Sequence, residues 1–419
     1  MTPTAVITGL GVIAPNGVGT EQFWSATLRA ETGIRPLERF DPEPYPARLA
    51  GQVADEAFDP RAHLPGRLLP QTDRMTRMAL AAADWALADA GVDPRDGDGF
   101  DRGVITASAS GGYEFGQREL QNLWSKGPEH VSAYQSFAWF YAVNTGQISI
   151  RNGMRGPSGV VVGEQAGGLD ALGQARRAIR GGTPLIVSGA VDSALNPWGW
   201  IAHLSTNRIS TRECADEAYL PFSPRACGHV PGEGGAILVV EEAGAVRRRG
   251  GRCYGVVAGY AAGFDPVPGS GRPPALRRVV ERALADAGVA PGEVDAVFAD
   301  AAGSPDLDER EAEAIRAVFG PMGVPVCAPK ALTGRLNSGG APLDVVAALL
   351  SMRDGVLPPA GPVDRAREDY GIDLVTGGPR PHRVRTACVL ARGTGGFTSA
   401  LVLTAADDRV TGGAPAGDR

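Results

Sequence analysis

The chain has 419 residues, of which 43% are hydrophobic, and a formal net charge of -6, enough by length alone for roughly two to three domains. Its mild acidity gives no nucleic-acid footprint, and no run of about 18 uninterrupted apolar residues exists to cross a membrane. No basic leader precedes the first apolar run, so the expected compartment is the cytoplasm, and five scattered cysteines without metal spacing read as free thiols.

Taken in order, residues 5–13 read as a first buried strand, closed by the turn Pro15-Asn-Gly17. The Gly-x-Gly inside it lacks the third glycine and downstream acid of a dinucleotide site. Asp73 is placed to cap a helix running to Ala90 with Gly91 as its stop, and a strand follows at 103–107. The segment Ala86-Leu-Ala-Asp-Ala-Gly-Val92 recurs as Ala283-Leu-Ala-Asp-Ala-Gly-Val289, again followed by a strand, at 296–299. Shared context argues for duplication, with the joint near 243–252. The expected fold class is therefore α/β, with two similar halves of mixed strands covered by helices. The halves are expected at 1–245 and 250–408, and 409–419 as a disordered polar tail.

Residues 113–124 place Tyr113, Gly116, Leu120 and Trp124 at steps of three and four, one face of a helix. Such a face is ordinarily core. A mid-helix glycine costs about 1 kcal/mol against alanine, so Gly116 also fits a second explanation, room for something to lie against the helix. Aromatic residues crowd 134–141 and would by themselves be core or a subunit surface. The pair Arg176-Arg177 and the run Arg247-Arg248-Arg249 read as solvated surface, with docking of an acidic carrier as the alternative.

The stretch Val160-Val-Val-Gly-Glu-Gln-Ala-Gly-Gly reads as a buried strand and a turn. Ala166, Leu169, Leu172, Ala175 and Ile179 then fall at helical spacing. The turn presents Gln165 where free helix N–H groups would support a nucleophile. Glutamine cannot serve as one, because its amide lone pair is delocalised into the carbonyl.

These motifs resemble the β-ketoacyl synthases, and the Glu-Gln-Ala-Gly-Gly turn is similar to that of the chain-length factors, the second ketosynthase-like subunit of bacterial aromatic polyketide synthases. The resemblance runs from Ala5 to about Leu403 and implies a duplicated thiolase-like fold. By it, Gln165 stands at the nucleophile position, and Ala302 and Arg335 stand where condensing enzymes carry two histidines. Thiolate and imidazoles are what condensation requires, so the resemblance implies no catalytic residue for that step. Lys330 and His229 are expected to be structural, the latter in a Gly-Glu-Gly loop where Ser223 replaces the family's usual Asp. It further implies a heterodimer with a Cys-bearing ketosynthase, a substrate carried on the phosphopantetheine of an acyl carrier protein, and no cofactor or metal of its own. Tyr113, Gly116 and Leu120 become gate positions of a tunnel at the subunit interface, with Trp198 in its wall, and the modest Gly116 and Leu120 favour a long product. The alternative is a malonyl-carrier decarboxylase that supplies an acetyl primer through Gln165. A third reading is a thiolase-fold enzyme using Cys227 or Cys388.

Overall fold

Among the described residues, 2–96, 98–267 and 269–406, the computed structural model forms one continuous twelve-stranded sheet and two small two-stranded ones, and the large sheet is built around two five-stranded mixed portions, the first and the second sheet. The first contains β1 (Ala5–Ala14), β2 (Arg102–Ala107), β3 (Ser158–Val161), β4 (Leu185–Asp192) and β5 (Gly234–Glu242), in the spatial order β1-β5-β4-β2-β3. The second contains β6 (Gly255–Phe264), β7 (Ala296–Phe298), β8 (Pro325–Cys327), β9 (Thr386–Arg392) and β10 (Phe397–Thr404), in the order β6-β10-β9-β7-β8. Chain position for chain position, the two orders are the same. In each sheet the last strand runs antiparallel to both neighbours, and the other two pairings are parallel. The sheets meet where Val6 and Ile7 pair with Val256 and Gly255. The tail expected at 409–419 lies outside the described residues.

Side-chain alternation sets the layers. In β5, Ala236, Leu238 and Val240 enter a central cluster while Ile237 and Val239 enter an outer one. In β9, Ala387, Val389 and Ala391 point to the same central cluster, and Cys388 and Leu390 to a second outer one. Both faces of each sheet are covered, which is why these strands read as continuous apolar runs. Helix α1 (Arg74–Ala90) covers the first sheet from outside. Helix α2 (Tyr113–Lys126) stands apart from this stack. Helix α3 (Gly167–Arg180) lies in the centre, α4 (Leu276–Ala287) covers the second sheet, and α5 (Gly340–Asp354) joins α3 in the centre. Every residue of α5 from Gly340 to Ser351 is buried, as a helix sandwiched between two sheets must be.

The repeated Ala-Leu-Ala-Asp-Ala-Gly-Val segments do the same work twice. Gly91 and Gly288 end α1 and α4 in left-handed conformations that need no Cβ, at φ 65° and 67°. Each helix packs on a strand glycine: a Cβ on Gly9 would meet the Ala86 carbonyl at 2.0 Å, and one on Gly259 the Ala283 carbonyl at 2.2 Å. Before each of these glycines the ladder carries a bulge, and after each an amide is held by the repeat's aspartate. Leu10 donates to Asp89 Oδ2 at 2.9 Å and Tyr260 to Asp286 Oδ2 at 2.9 Å. Each aspartate also pairs with an arginine from across the joint, Asp89 with Arg252 and Asp286 with Arg176.

Two expectations need correction. The 160–162 run is not a buried strand: β3 is the outermost strand of its sheet, its residues are half-buried or exposed, and Val162 is 48% exposed. Its apolar character therefore signals an uncovered edge rather than core. Arg176 is not solvated surface either. It is buried, bonded to Asp286 and the Ala258 carbonyl, and ties α3 to the second half.

Candidate functional site

Between β3 and α3 the chain makes one tight turn, Glu164–Ala166. Glu164 sits at φ 51°, a left-handed conformation costing a non-glycine residue about 1–2 kcal/mol. The second half of the chain holds it there. Ser338 Oγ donates to the Glu164 carbonyl at 2.8 Å, and Thr394 N donates to Glu164 Oε2 at 2.7 Å. Gln165 follows, buried, with its amide Nε2 3.4 Å from Glu164 Oε1. Burial raises the Glu164 carboxyl above its usual range, and the nearby Arg335 guanidinium opposes that rise.

Arg335 occupies the centre of the site. Its guanidinium donates to both carboxylate oxygens of Asp300, at 3.2 and 3.0 Å, and to the backbone carbonyls of Asp300 and Arg392 at 2.9 and 3.0 Å. Burial alone would lower its pKa, but Asp300 more than offsets that and keeps the cation locked. Asp300 is likewise held below the ordinary carboxylate range, Arg335 overcoming the effect of burial. The loop that carries Ala302 is fixed from below: Asp300 N and Ala301 N donate to Glu311 at 2.7 and 2.8 Å, and Gly303 N to Asp308 at 2.9 Å. Ala302 itself is buried and offers only a methyl group. Lys330 is paired with Asp344 at 2.6 Å and donates to the Ala299 carbonyl.

Gln165, Ala302 and Arg335 thus belong to loops stitched together through Glu164, Asp300 and Arg392. The assembly can accept and donate hydrogen bonds, but Gln165, Ala302 and Arg335 themselves supply no thiolate or imidazole. His229 lies beside it, its pKa driven well below the usual value by burial and by Arg335, so it is neutral. The five cysteines are free thiols, and burial pushes Cys388 up to about 12 and Cys253 up to about 11, the reverse of an activated nucleophile. Among the described residues no group of His, Cys, Asp and Glu is arranged to hold a metal ion, and no helix is long and apolar enough to cross a membrane.

The family models for the β-ketoacyl synthase N-terminal and C-terminal domains match residues 3–245 and 254–364. The chain belongs to the β-ketoacyl synthase family. Curated relatives include the actinorhodin polyketide β-ketoacyl synthase 2 of Streptomyces coelicolor, 60% identical over 96% of this chain and 98% of that one. The ketoacyl synthase beta subunit of the tetracenomycin polyketide synthase of Streptomyces glaucescens is 58% identical over 95% and 97%. Among solved structures, the ishigamide ketosynthase/chain length factor superposes with a TM-score of 0.86 at 26% identity, covering 97% of this chain and all of the other. The duplicated thiolase-like architecture expected from the sequence is therefore present.

The second group of expected site residues in this β-ketoacyl synthase chain lies on α2. Asp73 fixes the helix by accepting from Phe115 N at 2.8 Å while capping α1 through Met75 N at 2.9 Å. Phe115 and Glu119 face inward. On the opposite face Tyr113 stacks on Trp198, ring centroids 4.7 Å apart and 10° from parallel. A Cβ on Gly116 would stand 3.4 Å from both Trp139 and Trp198, so the two aromatics close over this one glycine. Leu120 and Trp124 continue the face outward, Trp124 being 83% exposed, with Trp139, Phe140, Trp198 and Ile201 also exposed. The structure brings Tyr113, Gly116 and Trp198 into contact and leaves Leu120 one turn further along the same side.

Sequence reasoning missed Asp300 as the partner of Arg335, although its place two residues before Ala302 was visible. It also missed Gln117 and Asn196. Gln117 Oε1 accepts from Asn196 Nδ2 and from Trp198 N, both at 2.8 Å, and no periodicity announces such a contact.

Proposed function

We propose that this chain is the non-condensing subunit of a polyketide ketosynthase pair. It binds a Cys-bearing ketosynthase as a heterodimer and sets the number of extender units joined. Tyr113, Gly116, Leu120 and Trp198 line its half of a tunnel at that interface, and the growing chain is carried on the phosphopantetheine of an acyl carrier protein. The observation that carries this reading is the pairing of opposites in one molecule. Arg335 is consumed by Asp300 and two carbonyls at the position of chemistry, while an aromatic face with a glycine at its centre is left open to a partner.

Three further facts support it. The tetracenomycin relative is named a beta subunit, and a structural neighbour is named a ketosynthase/chain length factor. Another neighbour, at 25% identity and TM-score 0.86, is named as a type II acyl-carrier protein in complex with its ketosynthase bound to the hexaketide. The edge strand β3 also leaves apolar Val162 exposed, and the charge-poor aromatic surface around Trp198 is of the kind that marks interface cores. The absence of a side chain at Gly116, beneath Trp139 and Trp198, favours a long product. The setting is the cytoplasm, in antibiotic or pigment biosynthesis.

The test is to combine the chain with a Cys-bearing ketosynthase, carrier protein and malonyl units, and to weigh the released polyketide. Gly116→Phe is expected to give a shorter product from a complex that still forms. An unchanged length would remove Gly116 from the tunnel.

A further inference from the structure

Beside the aromatic face lies an open cavity of about 1050 Å³, along the flank of α2 that carries Glu114, Gln117, Arg118 and Gln121. Its lining includes Arg61, Arg77, Glu114, Gln117, Arg118 and Asn196. Gln117 and Asn196 therefore stand at the boundary between this cavity and the Gly116 face. Their contacts form a closed set. Gln117 Oε1 accepts from Trp198 N at 2.8 Å and from Asn196 Nδ2 at 2.8 Å; the same Nδ2 donates to the Tyr113 carbonyl at 3.0 Å. Asn196 Oδ1 accepts from Gly199 N at 3.2 Å and so caps the Pro197–Leu204 helix that carries Trp198.

Trp198 is 42% exposed and is tied to the fold by its stacking on Tyr113 and by its backbone amide. Stacking supplies about 0.5–1.5 kcal/mol beyond area. It fixes the distance between rings but does little to stop the pair sliding together. The two bonds to Gln117 Oε1 fix the start of the Trp198 helix against α2, and through it the ring over Gly116.

We propose that Gln117 and Asn196 are positioning residues for chain length: a latch that keeps Trp198 over Gly116 and separates the interface face from the polar cavity beside it. This rests on the length-setting reading above. A poly-β-ketone presents carbonyl acceptors along its length, and Arg61 and Gln121 bring side-chain donors to the cavity, Arg77 being engaged by the Leu69 and Thr72 carbonyls and Arg118 by Glu119, so a chain that passes an unlatched Trp198 finds a compatible chamber.

The experiment uses the reconstituted heterodimer with carrier protein and malonyl units, with product masses as readout. Gln117→Leu removes the acceptor and is expected to shift the main product longer by at least one two-carbon unit. Gln117→Glu keeps an oxygen acceptor for both N–H groups and is expected to retain the original length, which general loosening of the helix would not predict. Asn196→Asp keeps the cap on Gly199 but loses both Nδ2 donations, and is expected to lengthen the product as Gln117→Leu does; it decides the matter if Gln117→Leu fails to assemble. Unchanged or shorter products from these variants, with Gly116→Phe still shortening, would overturn the latch and leave the length-setting role standing. If Gly116→Phe also leaves the length unchanged, both fall together.

Discussion

Around Arg335 polar groups are buried in matched pairs, whereas around Trp198 aromatic surface spreads outward past the limit of the chain. The first region is dense with charge: Arg335 with Asp300, Lys330 with Asp344, and Glu311 beneath two backbone amides. The second is held by two stacked rings, one bifurcated acceptor and a glycine. The difference shows what the molecule has kept. Where a condensing enzyme needs mobile protons, this chain has ion pairs that fix loops in place; where we propose that the product is measured, it has apolar surface whose shape a single side chain can alter.

The largest effect should come from breaking the first region. Arg335→Met leaves Asp300 buried with its main partner gone, and losing one member of a buried pair costs about 3–5 kcal/mol. Chemical denaturation should show a loss of that order. A change below about 1 kcal/mol would mean that Lys330 and Arg392 carry Asp300 without it.

The second region should respond in product, not in stability. A Cβ on Gly116 would meet Trp139 and Trp198 at 3.4 Å, ordinary contact distance, so Gly116→Ala fits and gains helix propensity of up to about 1 kcal/mol. Melting temperature should rise slightly while the complex still forms; a clear fall would show that Trp139 and Trp198 cannot give way.

A third, smaller effect separates the regions by pH. Burial pushes Asp73, Asp308 and Glu311 up to about 7 from ordinary values of 3.8, 3.8 and 4.5. The folded chain binds these protons more tightly than the unfolded one. Their contribution to stability is therefore complete at low pH, is lost as pH rises through about 4 to 7, and is gone above. Glu233 and Asp300, held below the usual range by Arg74 and Arg335 against the effect of burial, act with the opposite sign and in more acid solution. Unfolding temperature should fall between about pH 5 and pH 7; a rise would contradict these assignments.

The smallest expected effect is none. Gln165→Cys restores a thiol but not the imidazoles, with Arg335 still locked, and should confer no condensation on this chain when the partner's cysteine is replaced. Measurable product would show that Arg335 is not the obstacle.

Much of this was legible in the chain itself. Apolar alternation and the capping pair Asp73 and Gly91 located α1, and the duplicated segment announced two halves because Asp89 and Asp286 hold equivalent strand amides. What escaped was pairing over long separations. That Val160 to Val162 form an uncovered edge follows from strand order, which local pattern does not contain. That Arg176 is buried follows from Asp286 lying across the joint, 110 residues away. Gln117 looked like one more polar residue on an exposed helix because its partners, Asn196 and Trp198, come from another element altogether.

The most direct measurement compares the masses of polyketides released by two reconstituted heterodimers, one carrying Gly116→Phe and the other Gln165→Ala. If length is set at the aromatic face and the turn at Gln165 is not part of the ruler, the first product is shorter while the second keeps the original length, any loss being confined to its amount. A product of unchanged length from Gly116→Phe, or a shifted length from Gln165→Ala, would contradict that division of labour.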